Sequence, residues 1–486
     1  MTTVSPPQTE INSVIALYSN GQIQEALDAV ETLIKSYPNN ALLYNISGIC
    51  YKTIGKLDET VKSFEKALAI KPDYAEVHYN LGVTFQELTQ LDAAVKSYEK
   101  ALAIKPDYAI ACNNLGFTLQ KLGQLDAAVK SYEQAITIKP DFADAHNNLG
   151  ITLKKLGQLD AAVKSYEQAL AIKPDYAEGH NNLGNALYDL GQLDAAVKCF
   201  EKALAINPDY AEGHNNLGNA LNDLGQLDEA VKCFEKALAI KPDYADAHNN
   251  LGNNLTNLDQ LDEAVKCFEK ALAIKPDYAE AHNNLGNTLR DLNQLDAAVK
   301  SFEKALAINP DYADARNNLG VTLQELDQLD DAVKCFKQAL AINSNYVDAH
   351  YNLGNTLKKL SRLDAAIKSF EKALAIKPDY AEAHNNLGNT LRDLNQLNAA
   401  VKCYEKALAI NPDYAQVYHN YGGAMKRLKR PDEALVSYER ALVLKPDINF
   451  LLGDSLHTKM TLCLWDNLPN DLNELTKKIN NNEKVI

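Results

Sequence analysis

Asparagine recurs at one fixed spacing along most of the chain. A carboxamide places two N–H donors and an acceptor oxygen in one plane, which matches the N–H and C=O groups of an extended peptide. Inside a helix each asparagine costs roughly 0.6 kcal/mol relative to alanine, so the set costs about 7 kcal/mol that packing does not obviously repay. We therefore predict a row of amides that binds peptide main chain. Its eleven members, 34 residues apart, are Asn80, Asn114, Asn148, Asn182, Asn216, Asn250, Asn284, Asn318, Asn352, Asn386 and Asn420.

Two other interpretations of this asparagine row stay open. The repeats are copies, so one inherited choice explains the count, or the amides hydrogen-bond between neighbouring helices. A second row lies nearly one helical turn on and widens the same polar face: Asn185, Asn219, Asn253, Asn287, Asn355 and Asn389. Acidic residues lie two helical positions after each predicted helix start, where capping and the helix dipole explain them and selection of basic ligands is the minor interpretation. They include Glu178, Glu212, Asp246, Glu280 and Asp314.

Histidine also repeats, and it raises the question of a metal site. Equivalent residues of successive repeats lie at least as far apart as packed helices, ~8–10 Å, whereas zinc needs ligands ~2 Å from one centre. We therefore expect these rings to fill a packing position and expect no metal or cofactor site. The set is His78, His146, His180, His214, His248, His282, His350 and His384. The sequence also lacks phosphate-loop, nucleophile-elbow and H-E-x-x-H motifs, and His457 is interpreted as structural.

The elements that must position these side chains are pairs of short helices. In the 34-residue phrase from Ala177 to Tyr210, apolar residues recur three or four apart on two successive segments. Small residues at Gly184, Ala196 and Ala203 allow a neighbouring helix to approach closely. Pro208 predicts the end of the second helix, and the Asp209-Tyr210-Ala211-Glu212 stretch resembles a capping box that starts the next one.

The phrase resembles the tetratricopeptide repeat family at the family's signature spacings. The matching residues are Leu183, Gly184, Leu187, Gly191, Ala196, Phe200, Ala203 and Pro208. The resemblance implies an all-α, right-handed superhelical solenoid of about 13 helix-turn-helix repeats. We place a disordered lead at residues 1–6, the solenoid at residues 7–448 and a helical cap or linker at residues 449–486. By this interpretation the solenoid is one continuous unit.

Composition limits the classes of binding partner and the cellular compartment that we expect for this chain. A net charge of −15 argues against nucleic acid or an anionic membrane as the main partner. Five of the eight cysteines share one repeat position with serine, which indicates a small packing site rather than a thiol site. The first residues show no secretory leader and no apolar run is long enough to span a membrane, so we expect a reduced, cytoplasmic setting.

Two regions depart from the repeat. In repeat ten, Asn343-Ser344-Asn345 replaces the proline turn, which leaves open a longer helix, a flexible point or an ordinary turn. After Asp447 the period is lost, and we predict a helix through Leu451, Leu456 and Leu464 followed by a second helix from about Asn470. The simplest interpretation of this tail is a cap on the last repeat.

The tail also resembles the segment that joins the repeats to the catalytic region in O-linked N-acetylglucosamine transferase-like proteins. Leu456, Cys463 and Trp465 form the matching framework. In that family an asparagine ladder lines the inner surface of the superhelix, so the resemblance implies the same for the asparagine row. The family's sugar-nucleotide-binding and catalytic lobes have no counterpart in residues 1–486, and we do not expect this chain alone to transfer sugar.

The sequence therefore predicts a scaffold that binds proteins or extended peptides in a concave groove. The first hypothesis is the substrate-recognition arm of an O-linked N-acetylglucosamine transferase-like protein, and the alternative is a free-standing adaptor that assembles protein complexes. Because asparagine holds the inner positions where a chaperone-tail clamp needs Lys and Arg, that partner class is disfavoured. An oligomer is compatible with the sequence, but no residue pattern specifies one.

Overall fold

The computed structural model describes residues 6–465 and 468–480, and within these ranges the regular structure is entirely helical. The prediction of an all-α helical solenoid is confirmed. Residues 1–5, which form most of the predicted disordered lead, lie outside the described residues, as do 466–467 and 481–486.

Contacts divide the chain into two compact units, Met1–Pro242 and Asp243–Ile486. We call them the N-terminal and the C-terminal unit, and we describe each by itself. A single continuous stack stays a prediction. The helices of the N-terminal unit are α1 (Gln8–Ser19), α2 (Ile23–Ser36), α3 (Ala41–Thr53), α4 (Leu57–Ile70), α5 (Ala75–Glu87), α6 (Leu91–Ile104), α7 (Ala109–Lys121), α8 (Leu125–Ile138), α9 (Ala143–Lys155), α10 (Leu159–Ile172), α11 (Ala177–Asp189), α12 (Leu193–Ile206), α13 (Ala211–Asp223) and α14 (Leu227–Ile240).

The C-terminal unit continues the same alternation of a 13-residue first helix and a 14-residue second helix up to α26. Its helices are α15 (Ala245–Asn257), α16 (Leu261–Ile274), α17 (Ala279–Asp291), α18 (Leu295–Ile308), α19 (Ala313–Glu325), α20 (Leu329–Ile342), α21 (Val347–Lys359), α22 (Leu363–Ile376), α23 (Ala381–Asp393), α24 (Leu397–Ile410), α25 (Ala415–Arg427), α26 (Pro431–Leu444), α27 (Leu451–Thr461) and α28 (Leu468–Asn480).

Twelve helix pairs, from α3–α4 to α25–α26, each close around one aromatic ring and one glycine. A Cβ added to Gly184 of α11 would lie 2.6 Å from the ring of Phe200 in α12. Ala196 and Ala203 are fully buried on the same second helix. The small residues therefore serve close helix approach, as predicted, because a larger side chain would overlap the ring.

Helix ends follow the sequence signals, with one correction. The helix α12 ends at Ile206, two residues before Pro208. The capping-box prediction for the next helix is wrong: the residue at its start is Tyr210, and no side chain caps the free amides there. Asp209 stands one residue too early in the chain to occupy the capping position.

Repeat ten turns without its proline. The helix α20 ends at Ile342, at the same repeat position as its neighbours, so the longer helix left open by the sequence is wrong. The Asn343 side-chain oxygen accepts a hydrogen bond from the Asn345 backbone N–H at 3.1 Å. An Asx-type turn thus replaces proline as the signal that ends the helix.

The tail folds as two helices, as predicted, but the predicted bounds are wrong. The helix α27 ends at Thr461, before Leu464, and α28 begins at Leu468 rather than near Asn470. The side chains of Leu451 and Leu456 in α27 are buried, whereas Leu464 and Trp465 are 43% and 53% exposed. The Lys478 ammonium of α28 donates to the Pro446 carbonyl at 3.3 Å. The tail is therefore attached to the end of the last helix pair.

Candidate functional site

The first helix of each repeat exposes one polar face. In α11 the exposed or half-buried positions include Glu178, Asn182, Asn185 and Asp189. Their spacing of four, three and four residues places them on one side of the helix. Ten of the eleven members of the asparagine row are half-buried, and Asn420 is buried. The row thus lies on an accessible surface in both units.

The row amides also bind the neighbouring repeat. Asn182 Nδ2 donates at 3.1 Å to the side-chain oxygen of Asn147, a residue that is only 1% exposed. This acceptor comes directly before the row position in the preceding repeat. Hydrogen bonds between neighbouring helices, one of the interpretations left open by the sequence, are therefore present. The same bond joins Asn80 to Asn45, Asn148 to Asn113, Asn216 to Asn181, Asn284 to Asn249, Asn318 to Asn283, Asn352 to Asn317 and Asn420 to Asn385.

Tyrosine replaces the buried asparagine in two repeats without loss of the contact. Asn114 Nδ2 donates to the Tyr79 hydroxyl at 3.2 Å, and Asn386 Nδ2 donates to the Tyr351 hydroxyl at 3.0 Å. The acceptor is thus kept while the residue type changes. We call the residues that precede the row members the buried acceptor row.

The inward bond leaves groups of some row amides able to bind a ligand, although Asn386 uses both of its donors, on Tyr351 and Asn355. An asparagine side chain has two N–H donors and an oxygen with two lone pairs, and the inward bond uses one donor. For Asn182 and Asn216, one donor and the oxygen stay available on the half-buried side. Because the inward bond fixes the plane of the amide, less side-chain entropy is lost when a ligand binds.

The second asparagine row is less uniform. Asn355 Oδ1 accepts from Asn386 at 2.9 Å, and Asn389 Oδ1 accepts from the Tyr404 hydroxyl at 2.9 Å. The corresponding residues of earlier repeats are apolar, among them Ile49, Val83 and Phe117. The second row therefore widens the polar face only in part of the chain.

Acidic side chains border the asparagine row. Those at the second helical position are exposed: Glu76, Asp144, Glu178 and Glu212 in the N-terminal unit, and Asp246, Glu280, Asp314, Asp348 and Glu382 in the C-terminal unit. Burial, then the nearby Asp314 carboxylate, raises the pKa of Tyr346. Burial and the Asp223 carboxylate raise the pKa of Tyr188 to about 12. The exposed face thus carries a negative potential.

The repeated histidines secure the turn that precedes each first helix. His384 Nε2 lies 3.0 Å from the carbonyl oxygen of Pro378, so Nε2 carries the proton. Arg316, which replaces histidine in repeat ten, donates to the Pro310 carbonyl in the same way. The packing prediction for these rings fits this geometry. Equivalent contacts are made by His78, His146, His180, His214, His282 and His350.

The shared serine and cysteine position is a packing site in the structure as well. Ser165 is buried and its hydroxyl donates to the Ala161 carbonyl at 3.0 Å within its own helix. Burial raises the pKa of the Cys335 and Cys403 thiols, which favours the unreactive thiol form.

The buried acceptor row is the part of the site that sequence reasoning missed. Its signal was present as the Asn-Asn pair in most first helices, for example Asn181-Asn182. The two residues are adjacent, so they point about 100° apart around the helix axis. One therefore faces the next repeat while the other stays half-exposed.

Comparison with known families identifies the repeats. Models described as "TPR repeat" match residues 48–89, 87–123, 119–157, 152–191, 184–222 and 218–258. Models described as "Tetratricopeptide repeat" match residues 243–311, 277–345, 311–379, 381–414 and 403–436. These matches cover most of the chain. No curated protein is significantly similar to it in sequence.

Solved structures show similar helical folds. A chain of the APC/C hetero-tetramer Cut9-Hcn1 is 14% identical, with 94% of this chain and 97% of that chain covered and a TM-score of 0.47. MamA is 25% identical over 33% of this chain and 95% of its own, with a TM-score of 0.32. YrrB, described as a TPR protein with an unusual peptide-binding site, is 28% identical over 38% of this chain and 96% of its own, with a TM-score of 0.33.

Among the helices that the structure describes, none combines the length and the apolar character needed to cross a bilayer.

Proposed function

Because the chain belongs to the tetratricopeptide repeat family, we propose that it is a scaffold that binds extended polypeptide along the exposed face of its first helices. The observation that carries this proposal is the oriented amide: Asn182 and Asn216 each use one donor inward and keep a donor and an acceptor on the half-buried side. Such groups bind main-chain N–H and C=O groups, which every peptide has.

Three successive row positions of the N-terminal unit offer the same pair of groups to a peptide. The amides of Asn148, Asn182 and Asn216 all hold the same inward bond, at 3.0 to 3.1 Å. A peptide lying across them meets identical donors and acceptors at every repeat. The row therefore selects for extended main chain, and the acidic side chains beside it favour basic residues in the ligand.

The test removes the row amides without disturbing the buried partners. In Asn147→Leu/Asn181→Leu/Asn182→Ala/Asn216→Ala, both members of two inward bonds are replaced, so no buried acceptor is left unsatisfied. The matched control, Asn147→Leu/Asn181→Leu, keeps the row amides. Affinity is measured by fluorescence anisotropy with a peptide selected from a random library on the unmodified protein.

We expect the quadruple variant to bind about thirtyfold more weakly than the unmodified protein, since two amides that each contribute about 1 kcal/mol are lost. The control keeps the amides and loses only their inward bonds, so it should lose much less affinity. Equal affinity of the quadruple variant and the control would show that the row does not bind the ligand.

We further propose that the scaffold is the recognition arm of an O-linked N-acetylglucosamine transferase-like protein. The support is the resemblance of the tail around Leu456, Cys463 and Trp465, together with the asparagine row itself. The alternative is a free-standing adaptor. The coding sequence beyond Ile486 separates the two: a long open continuation supports the first, and a stop codon with no transferase gene beside it supports the second.

A further inference from the structure

The helix α27 extends the repeat register by one more first helix. His419 Nε2 lies 3.0 Å from Asp454 Oδ2, and the two residues are 35 apart in sequence, as are the partners of each inward asparagine bond. The Thr458 hydroxyl donates to the Asp454 carbonyl at 2.7 Å, as the Thr390 hydroxyl donates to its row residue. Asp454 therefore occupies the position of the next asparagine in the row.

The charge of the exposed face reverses at the last repeat. Repeat twelve presents Glu382 and Asp393 at the second and thirteenth positions of its first helix, and both are exposed. Repeat thirteen presents Gln416 and Arg427 at the same positions, and both are exposed. The last repeat thus replaces the two carboxylates by an uncharged amide and a guanidinium.

A cavity of about 670 Å³ opens at this point between α25, α27 and α28. One wall is apolar and includes Phe450, Met460, Leu472 and Leu475. Phe450, Met460 and Leu472 are 44%, 49% and 42% exposed, so this apolar wall is open to a ligand. The row member Asn420 lines the same cavity.

Charged side chains also line the cavity. They include Arg392, Lys426 and Asp454. Both oxygens of Asp454 already have partners, at 3.0 Å from His419 and 3.5 Å from Lys426. Among the side chains that the structure describes, the nearest carboxylate to the Arg392 guanidinium is Asp393 at 3.8 Å, a long and weak contact, and Arg392 also donates to Asn420 Oδ1 at 3.5 Å. Arg392 therefore keeps donors for a further carboxylate.

We propose that this cavity fixes the register of the bound peptide by taking an aspartate or glutamate side chain next to a large apolar residue. The carboxylate lies between Arg392 and Lys426, and the apolar side chain packs on Phe450, Met460 and Leu472. The inference rests on the proposed function. Since successive row asparagines such as Asn148, Asn182 and Asn216 offer the same groups, a peptide can shift among them by one repeat at little cost, and one unrepeated pocket removes that degeneracy.

The experiment is a positional scan of extended peptides against the full chain. We expect enrichment of an acidic residue beside a large apolar residue, and replacing the acidic residue by its amide weakens binding about tenfold. That enrichment is lost in Arg392→Gln and in Lys426→Gln. Lys154→Gln, at the same helical position in a repeat of the N-terminal unit and 3.0 Å from Asp189, is the matched control and keeps it.

A charge-reversal variant distinguishes loss of the proposed contact from loss of the fold. Lys426→Glu is expected to prefer a peptide with lysine in place of the acidic residue, and a cooperative melting curve shows that this variant is folded. If Lys426→Glu does not melt cooperatively, Arg392→Glu is used for the same test. Binding by the unmodified protein without acidic preference, or the same preference in both neutral variants, overturns this inference and leaves the proposed function standing. If no peptide binds the unmodified protein, the proposed function fails and the inference fails with it.

Discussion

At the scale of single residues, the row asparagine has two roles. The sequence suggested that alanine at the row positions would leave stability unchanged or raise it, because alanine is the better helix former. The inward bond from Asn182 to the buried oxygen of Asn147 changes that expectation. Removal of one partner leaves a buried acceptor unsatisfied, which costs more than helix propensity returns.

We therefore expect Asn182→Ala to lower the free energy of unfolding by about 1–2 kcal/mol, the balance between a lost acceptor partner and a better helix former. Asn147→Leu/Asn182→Ala should recover most of that loss, since both polar partners are gone. Urea denaturation of the three proteins measures the difference. A stabilised Asn182→Ala would show that the inward bond contributes nothing.

Histidine gives the repeats a pH dependence. Burial lowers the pKa of His282, His350 and His384 below the ordinary value of 6.5. The Nε2 of each ring donates to a backbone carbonyl, and the Nδ1 atoms of His282 and His384 are buried without a hydrogen-bond partner. A second proton would therefore sit on a buried atom with no acceptor.

The unfolded chain takes up these protons before the folded chain does. Stability is therefore full above about pH 6.5 and falls as the pH drops below that value. We expect the melting temperature of His282→Gln/His384→Gln to fall less than that of the unmodified protein between about pH 7.5 and about pH 5.5. Glutamine keeps an N–H donor for the proline carbonyl and does not titrate. Parallel losses in both proteins would contradict the assignment.

At the scale of elements, the turn between the helices of a pair carries conformational strain. Gly123 has φ +76°, and a Cβ there would meet no atom within 4 Å. Thr89 has φ +58° and Asn293 has φ +59° at the same repeat position. The difference in stability between glycine and another residue at this position therefore depends only on backbone conformational preference. A β-branched residue tolerates positive φ poorly.

Thr89→Gly should therefore stabilise the chain by about 1 kcal/mol, and Gly123→Ala should destabilise it by a similar amount. Asn293→Gly is the control and should change stability less, because asparagine adopts this conformation more readily. Thermal melting of the three variants measures the order. A Thr89→Gly variant less stable than the unmodified protein would show that the threonine side chain compensates for the strain.

Helix boundaries could be predicted where one residue dominates the local preference. Proline at positions such as Pro208 ends the second helix because it cannot continue the hydrogen-bond ladder. The capping-box prediction was wrong because the motif, although correctly spaced, lies one residue too early in the chain. Tyr210 occupies the capping position at the start of the helix. An error of one residue in the position of a helix start cannot be recognised without the backbone dihedral angles.

At the scale of the whole molecule, the fold could be predicted from one sequence because the same sequence pattern repeats. The glycine and aromatic positions, such as Gly184 and Phe200, recur at a fixed separation, and their contact repeats in the twelve pairs from α3–α4 to α25–α26. The exposure of the asparagine row also followed from helical phase. The buried acceptor row could not be predicted, because its partner lies in the adjoining repeat and depends on how two pairs stack.

The tail shows the same limit. Loss of the 34-residue period hid the register of α27, because Leu456 replaces the usual glycine and Asp454 replaces asparagine. The hydrogen bond from His419 to Asp454 restores that register. The cavity beside it joins residues of α23, α25, α27 and α28, which no local pattern brings together.

The most direct test of main-chain binding uses one selected peptide and a copy whose backbone nitrogens are methylated at alternate residues. The two share every side chain and differ only in N–H groups. We expect the methylated copy to bind the unmodified protein at least about tenfold more weakly, as the loss of two main-chain hydrogen bonds predicts. Equal affinity of the two peptides, measured by isothermal titration calorimetry, would contradict the claim that the asparagine row binds main chain.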